Sequence, residues 1–137
     1  HVAVLGRIDD HGHFPNVLRY DAQRPAHILA LRIDESLFFV NSSYIENLIS
    51  DKVAEHPDIQ HLVLVCSGIN FIDSSALETL EHLSEALQEA GVTVHLAELK
   101  GPVMDKLSPT RFITQLQGQV FLSTADAFTA LETPQTS

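Results

Sequence analysis

Along this chain, runs that are apolar at every position alternate with stretches whose apolar residues recur every three or four positions. Leu62-Val63-Leu64-Val65-Cys66 is apolar throughout, the pattern of a strand covered on both faces, as in a parallel sheet. From Ala76 to Ala90, the residues Leu77, Leu80, Leu83, Leu87 and Ala90 share one helical face. Gly91 stands where that helix should stop. Val92 to Leu96 reads as the next strand. Gly101-Pro102 opens a short helix, since proline is tolerated in a first turn, and the helix ends near Ser108-Pro109. Val120 to Leu122 predicts a weak last strand, and Ser123 to Leu131 a last helix with Asp126 in its first turn.

The first third of the chain is less regular. Val2 to Leu5 reads as a short strand. Gly6 to Gln23 reads as an irregular connection, because Asp9, Asp10, Gly12, Pro15 and Asn16 all disfavour regular structure. Ile28–Ile33 and Leu37–Val40 read as a hairpin turning at Asp34-Glu35. Ser43-Tyr44-Ile45-Glu46 has capping-box spacing. Ile45, Leu48, Ile49 and Val53 follow at helical intervals, and His56-Pro57-Asp58 ends that helix. Alternating strands and helices demand crossover connections, which are right-handed in almost all cases. The expected fold is α/β, with a mostly parallel sheet and one antiparallel hairpin near its start.

A chain of 137 residues, 45% of them hydrophobic, is enough for one domain with a core and too short for two. Its apolar runs fall far short of the roughly 20 residues that span a bilayer. It begins at His1 without a signal-peptide pattern, as expected of a domain cut from something longer. The expected parts are a lead-in over 1–27 that includes the first strand, a core over 28–132 and a frayed tail over 133–137. Cys66 is the one cysteine. It has no partner in the chain, which fits a reducing compartment and a buried core position. Eight basic residues face 18 acidic ones, for a formal charge of −10, and no Lys or Arg occurs from Val53 to Leu99. Nucleic acid and anionic lipid both reward basic patches, so neither is an expected partner.

No Walker loop, glycine-rich dinucleotide fingerprint or Gly-x-Ser-x-Gly elbow is present. Any enzyme reading must therefore be assembled from scattered residues. His11 and His13 lie two apart beside Asp9 and Asp10 and could grip a metal. Metal sites need fixed geometry, however, and this stretch is rich in turn formers, so no metal is expected. His82 reads as a solvated surface histidine within reach of Glu78 or Glu85, and His61 and His95 as ordinary residues bordering strands. Glu78, Glu81, Glu85 and Glu89 form a stripe with no cation in the same helix. The plain reading is a solvated face. The sharper one is a docking face for a basic partner, since like charges at this spacing repel.

The stretch Asn70-Phe71-Ile72-Asp73-Ser74-Ser75-Ala76-Leu77-Glu78 lies where the buried strand hands over to the helix. Free N–H groups and the positive dipole end meet there, and an anion can be held without catalytic apparatus. Ser75-Ala76-Leu77-Glu78 is itself a capping box, so Ser75 is expected to close the helix end. Ser74 is expected to be exposed. Phosphorylation there would place nearly two negative charges at the helix end, beside Asp73. Lys100 or Lys106, from the next strand–helix loop, are candidate anion contacts.

Phe71-Ile72-Asp73-Ser74-Ser75-Ala76-Leu77 resembles the signature loop of STAS domains, the fold shared by sulfate transporters and anti-sigma factor antagonists. The family usually has glycine where this chain has Ala76. The resemblance implies a sheet of four or five strands with about four helices packed on it. In the antagonists the serine after the aspartate, here Ser74, is phosphorylated. Val4-Leu5-Gly6-Arg7-Ile8, Phe14-Pro15-Asn16-Val17 and Arg19-Tyr20 are similar to the segment that leads from the last membrane helix into the STAS domain of bacterial SulP permeases. Leu31-Arg32-Ile33-Asp34-Glu35-Ser36-Leu37-Phe38-Phe39-Val40-Asn41 is similar to the hairpin of that branch.

That resemblance implies a non-catalytic C-terminal domain, not an enzyme and with no cofactor, on the cytoplasmic face of the bacterial inner membrane, acting in regulation, assembly and protein interaction. Its implied partners are the transmembrane domain of the same transporter, a second copy and a cytosolic regulator. The alternative is a free-standing antagonist switched at Ser74, against which the lead-in Val2–Tyr20 argues. Nucleotide binding at the loop is a further property suggested for some members.

Overall fold

The computed structural model describes residues 7–8, 17–20, 25–34 and 42–132. Its strands are β1 (Arg7–Ile8), β2 (Val17–Tyr20), β3 (Ile28–Asp34), β4 (His61–Gly68), β5 (Thr93–Ala97) and β6 (Val120–Phe121). Its helices are α1 (Ser42–Ala54), α2 (Ser74–Glu89), α3 (Gly101–Leu107), α4 (Arg111–Thr114) and α5 (Thr124–Leu131). The strands form one sheet in the order β1-β2-β3-β4-β5-β6. β1, β2 and β3 pair antiparallel, whereas β3 to β6 run parallel.

Strand order equal to chain order has a consequence. Crossovers of one hand, each stepping the same way, place their helices on one face of the sheet. Ile45, Leu48 and Ile49 of α1, Leu80, Leu83 and Leu87 of α2 and Phe112 of α4 pack there on Leu29, Leu31, Ile33, Leu62, Leu64, Val94 and Leu96. The last helix is free to return across the other face. Ala127, Phe128 and Leu131 of α5 cover Ile28, Ala30, Val63, Val65 and Ala97. Both faces of β3 and β4 are thus dry, which is why their sequences are apolar at consecutive positions.

The antiparallel part differs from the sequence reading. β3 finds its antiparallel partner in β2, with Val17 opposite Ile33 and Tyr20 opposite Ala30. Gly6 to Gln23, read as irregular, supplies both β1 and β2. These strands have two and four residues, too short for a period of two to show between the flanking turn formers. The expected strands Val2–Leu5 and Leu37–Val40 lie outside the described residues. α4, a single turn of four residues, is a further element the pattern did not announce.

Candidate functional site

β4 passes its chain to α2 through a loop that is pinned at two points. Ile69 is buried, donates its N–H to the Cys66 carbonyl at 3.0 Å and packs in the core. Ile72 packs against the same core. Between them Phe71 projects outward, 58% exposed. A large apolar ring held in water costs solvation free energy on the order of 1 kcal/mol or more. The loop is anchored on either side of it by buried Ile69 and half-buried Ile72.

Asp73 closes α2. Its backbone is extended, and its Oδ1 accepts the Ala76 N–H at 2.8 Å. This corrects the expectation that Ser75 caps the helix. Ser75 already lies inside the helix, and its carbonyl accepts the Thr79 hydroxyl at 3.1 Å. A carboxylate before the first turn also opposes the dipole better than a neutral hydroxyl. Ser74 and Ser75 are exposed in that first turn. Ala76, directly after them, is buried.

The structure brings both proposed lysines to the loop. Lys100 Nζ donates to Asn70 Oδ1 at 2.5 Å. Lys106 lines a notch of about 80 Å³ together with Pro102, Val103 and Leu107 of α3, facing Asn70, Phe71 and Ile72. The notch is bounded by Ile72 and reaches neither Ser74 nor Ser75. The lysines therefore surround the aromatic part of the loop rather than its hydroxyls.

The acidic stripe is split. Glu78, Glu85 and Glu89 are exposed and Glu81 is half-buried. Glu85 Oε2 lies 3.5 Å from an Arg111 nitrogen of α4, so the cation missing from α2 comes from a later helix. Glu81, Glu85 and Gln88 share a cleft with Arg111 and Phe112. His82 is an exposed residue of α2. His11 and His13 lie outside the described residues. Among the described residues no group of three or more His, Cys, Asp and Glu side chains is placed to hold a metal ion.

Two histidines differ from their expected role. His61 and His95 are buried, 5% and 3% exposed, and their rings are hydrogen-bonded to one another on the α5 face. His27 joins them edge-on to His61, with its Nε2 2.9 Å from the Leu131 carbonyl at the end of α5. Burial first, and then a neighbouring histidine, pushes both His61 and His95 toward the neutral form, His95 to about 4. Spacing along one strand cannot reveal this cluster, because it depends on which strands are neighbours. Cys66 behaves as expected of a core residue. Burial and then the nearby Glu98 push its thiol up to about 12, so it is not a nucleophile at neutral pH.

Taken together, the site presents a capped, anion-tolerant helix end, an exposed aromatic ring and two lysines. No helix among the described residues is long and apolar enough to cross a membrane.

A family model for the STAS domain matches residues 19–127. The chain is 34% identical over 138 residues to High affinity sulfate transporter 1 of Stylosanthes hamata, covering 91% of this chain and 20% of that protein. It spans about a fifth of the length of the curated relatives it matches. Among solved structures, the murine Solute Carrier 26 family member A9 anion transporter in its inward-facing state superposes with a TM-score of 0.69 at 22% identity, over 83% of this chain and 19% of that one. The SulP transporter STAS domain from Vibrio cholerae superposes with a TM-score of 0.64 at 19% identity, over 80% and 84%. At these identities the structural likeness establishes the fold.

Proposed function

This chain belongs to the STAS domain family, and from that premise we propose that it is the C-terminal regulatory domain of a SulP-type anion transporter, at the cytoplasmic face of a bacterial inner membrane. The observation that carries the reading is the alignment of 91% of the chain with proteins named as sulfate transporters. The domain does no chemistry of its own. It acts through contacts with the membrane part of the same protein and with a cytosolic regulator. The loop Phe71 to Ser75 and the exposed glutamates of α2 are the surfaces for those contacts, because they offer opposite chemistry side by side. Cytoplasmic loops of membrane proteins are enriched in Lys and Arg, which suits the exposed carboxylates of Glu78 and Glu89. The anion carried is sulfate or a related ion, bound in the membrane part.

The test replaces this domain in the full-length transporter by an unrelated soluble domain and measures anion uptake alongside oligomer assembly. Loss of either supports the reading, and full retention of both contradicts it.

A second reading is a free-standing antagonist switched by phosphorylation of Ser74. The exposure of Ser74 in the first turn of α2 favours it. Mass spectrometry of the protein from its native cells that never finds phosphate on Ser74 would remove it.

A further inference from the structure

The last strand and helix form a small unit that is tied to the sheet at both ends by histidine rings. α5 grips its face of the sheet through Ala127, Phe128 and Leu131. β6, which leads into it, has two residues. It hangs on β5 by the Leu96 N–H to the Gln119 carbonyl at 3.0 Å and the Glu98 N–H to the Phe121 carbonyl at 3.1 Å. At the entry to the unit, the Gln119 N–H is received by His95 Nδ1 at 3.0 Å. The Phe121 ring lies against the His95 ring, with centroids 5.7 Å apart. At the exit, His27 Nε2 donates to the Leu131 carbonyl at 2.9 Å, since a carbonyl only accepts. His61 stands between the two ends, bonded to His95 and edge-on to His27.

The two ties respond differently to acid. His95 Nδ1 holds Gln119 as an acceptor, so a proton there turns the bond into a clash of donors. His61 Nδ1 accepts from His95 and is lost as an acceptor in the same way. His27 keeps its bond to Leu131 in either charge state, but a charge on it opposes one on His61. The groups facing the rings offer no relief. β4 contributes His61 itself and β5 His95, with His27 just before β3. α5 turns Thr124, Ala127, Phe128 and Leu131 inward and leaves Asp126 and Glu132 exposed. Glu98 is taken up with Thr124 at the start of α5. Among the described residues no carboxylate pairs with any of the three rings.

We propose that the three histidines form an acid-released latch: protonation of His95 and His61 frees β6 and α5 as one unit, while β3 to β5 and the layer of α1 and α2 stay folded. The opening is local because α1 and α2 have their own core on the opposite face, which contains none of these rings. Opening a unit this small costs less than opening the whole chain. It bares Ile28, Ala30, Val63, Val65 and Ala97, an apolar face that α5 covers at neutral pH. The latch stands independently of the transport reading.

The experiment is hydrogen exchange of the chain read by mass spectrometry at pH 7 and pH 5, corrected for the intrinsic rate. Peptides within 119–131 should lose protection by at least about tenfold, the response to one proton taken up by a ring that is held neutral in the closed form. Peptides of β4 and α2 should keep theirs. His95→Gln keeps an acceptor for Gln119 but takes no proton, so it should remove most of the response. The wild-type comparison decides even where that variant folds poorly. Equal protection of 119–131 at both pH values overturns the proposal. So does loss of protection in β4 together with α5, which marks global unfolding, or a response undiminished in His95→Gln.

Discussion

His95 Nε2 lies 2.9 Å from His61 Nδ1, and the other nitrogen of His95 receives the Gln119 backbone N–H at 3.0 Å. The second bond fixes the first. Nδ1 of His95 is an acceptor, so its proton sits on Nε2 and is donated to His61. A further proton on His61 Nδ1 would set donor against donor between the rings, and one on His95 Nδ1 would do the same against the Gln119 N–H. Both rings are buried on the face that α5 covers, which places the cluster between sheet and helix.

That arrangement dictates a pH dependence. His95 is held at about 4 in the folded chain against an ordinary value of 6.5. Between these values the unfolded chain binds more protons, so stability rises with pH across this window. It is fully present above about 6.5 and is lost as pH falls toward 4. His61, lowered for the same leading cause, acts in the same direction. Chemical denaturation at a series of pH values should show a loss of a few kcal/mol across that range. The loss should shrink in His95→Gln, which keeps an acceptor but does not titrate.

Gly118 explains how the chain gets past His95. A Cβ at this position would sit 2.0 Å from the Val94 carbonyl oxygen and 2.7 Å from His95 Nδ1. The first is backbone and cannot step aside. Gly118→Ala should therefore cost about 1 to 3 kcal/mol and increase hydrogen exchange at Leu96, whose N–H donates to the Gln119 carbonyl. Wild-type stability and exchange in this variant would refute the close approach.

The cap on α2 makes a discriminating pair of substitutions. Asp73→Ala should cost about 1 kcal/mol, because the Ala76 N–H loses its acceptor. Ser75→Ala should cost much less. The reverse order, read from urea denaturation midpoints, would mean that the serine closes the helix after all.

Glu98 performs a similar service for α5 from a distance. Its backbone takes a φ of 61°, uncommon for a residue with a side chain. Its carboxylate accepts both the N–H and the hydroxyl of Thr124, at 3.2 and 2.6 Å. Ser123 Oγ accepts the Asp126 N–H beside it. Glu98→Ala should lower stability by about 1 to 2 kcal/mol. Thr124→Val in the same background should add little, since the two changes remove one joint.

The parallel half of the fold was legible because its signals are local and strong. Leu62 to Cys66 is apolar at each position since both faces are covered, and Leu77, Leu80, Leu83 and Leu87 keep helical spacing over about three turns. Gly91 ends that helix with a φ of 91°, as its place in the sequence implied. The antiparallel half was not legible, since β1 and β2 are too short to carry a pattern and gain their order from pairing with β3. The loop could be located from its place between strand and helix. Its working details could not, because the cap at Asp73 and the approach of Lys100 to Asn70 depend on three-dimensional neighbours. The histidine cluster was invisible for the same reason.

Sulfate uptake into vesicles bearing the full-length transporter, with and without Phe71→Asp, tests the central claim most directly. Phe71 lies outside the core and outside any membrane-spanning segment, so the substitution should leave the amount of inserted protein unchanged. The account predicts that uptake falls severalfold at equal protein. Uptake equal to wild type, with the substituted loop intact in the membrane, would contradict it.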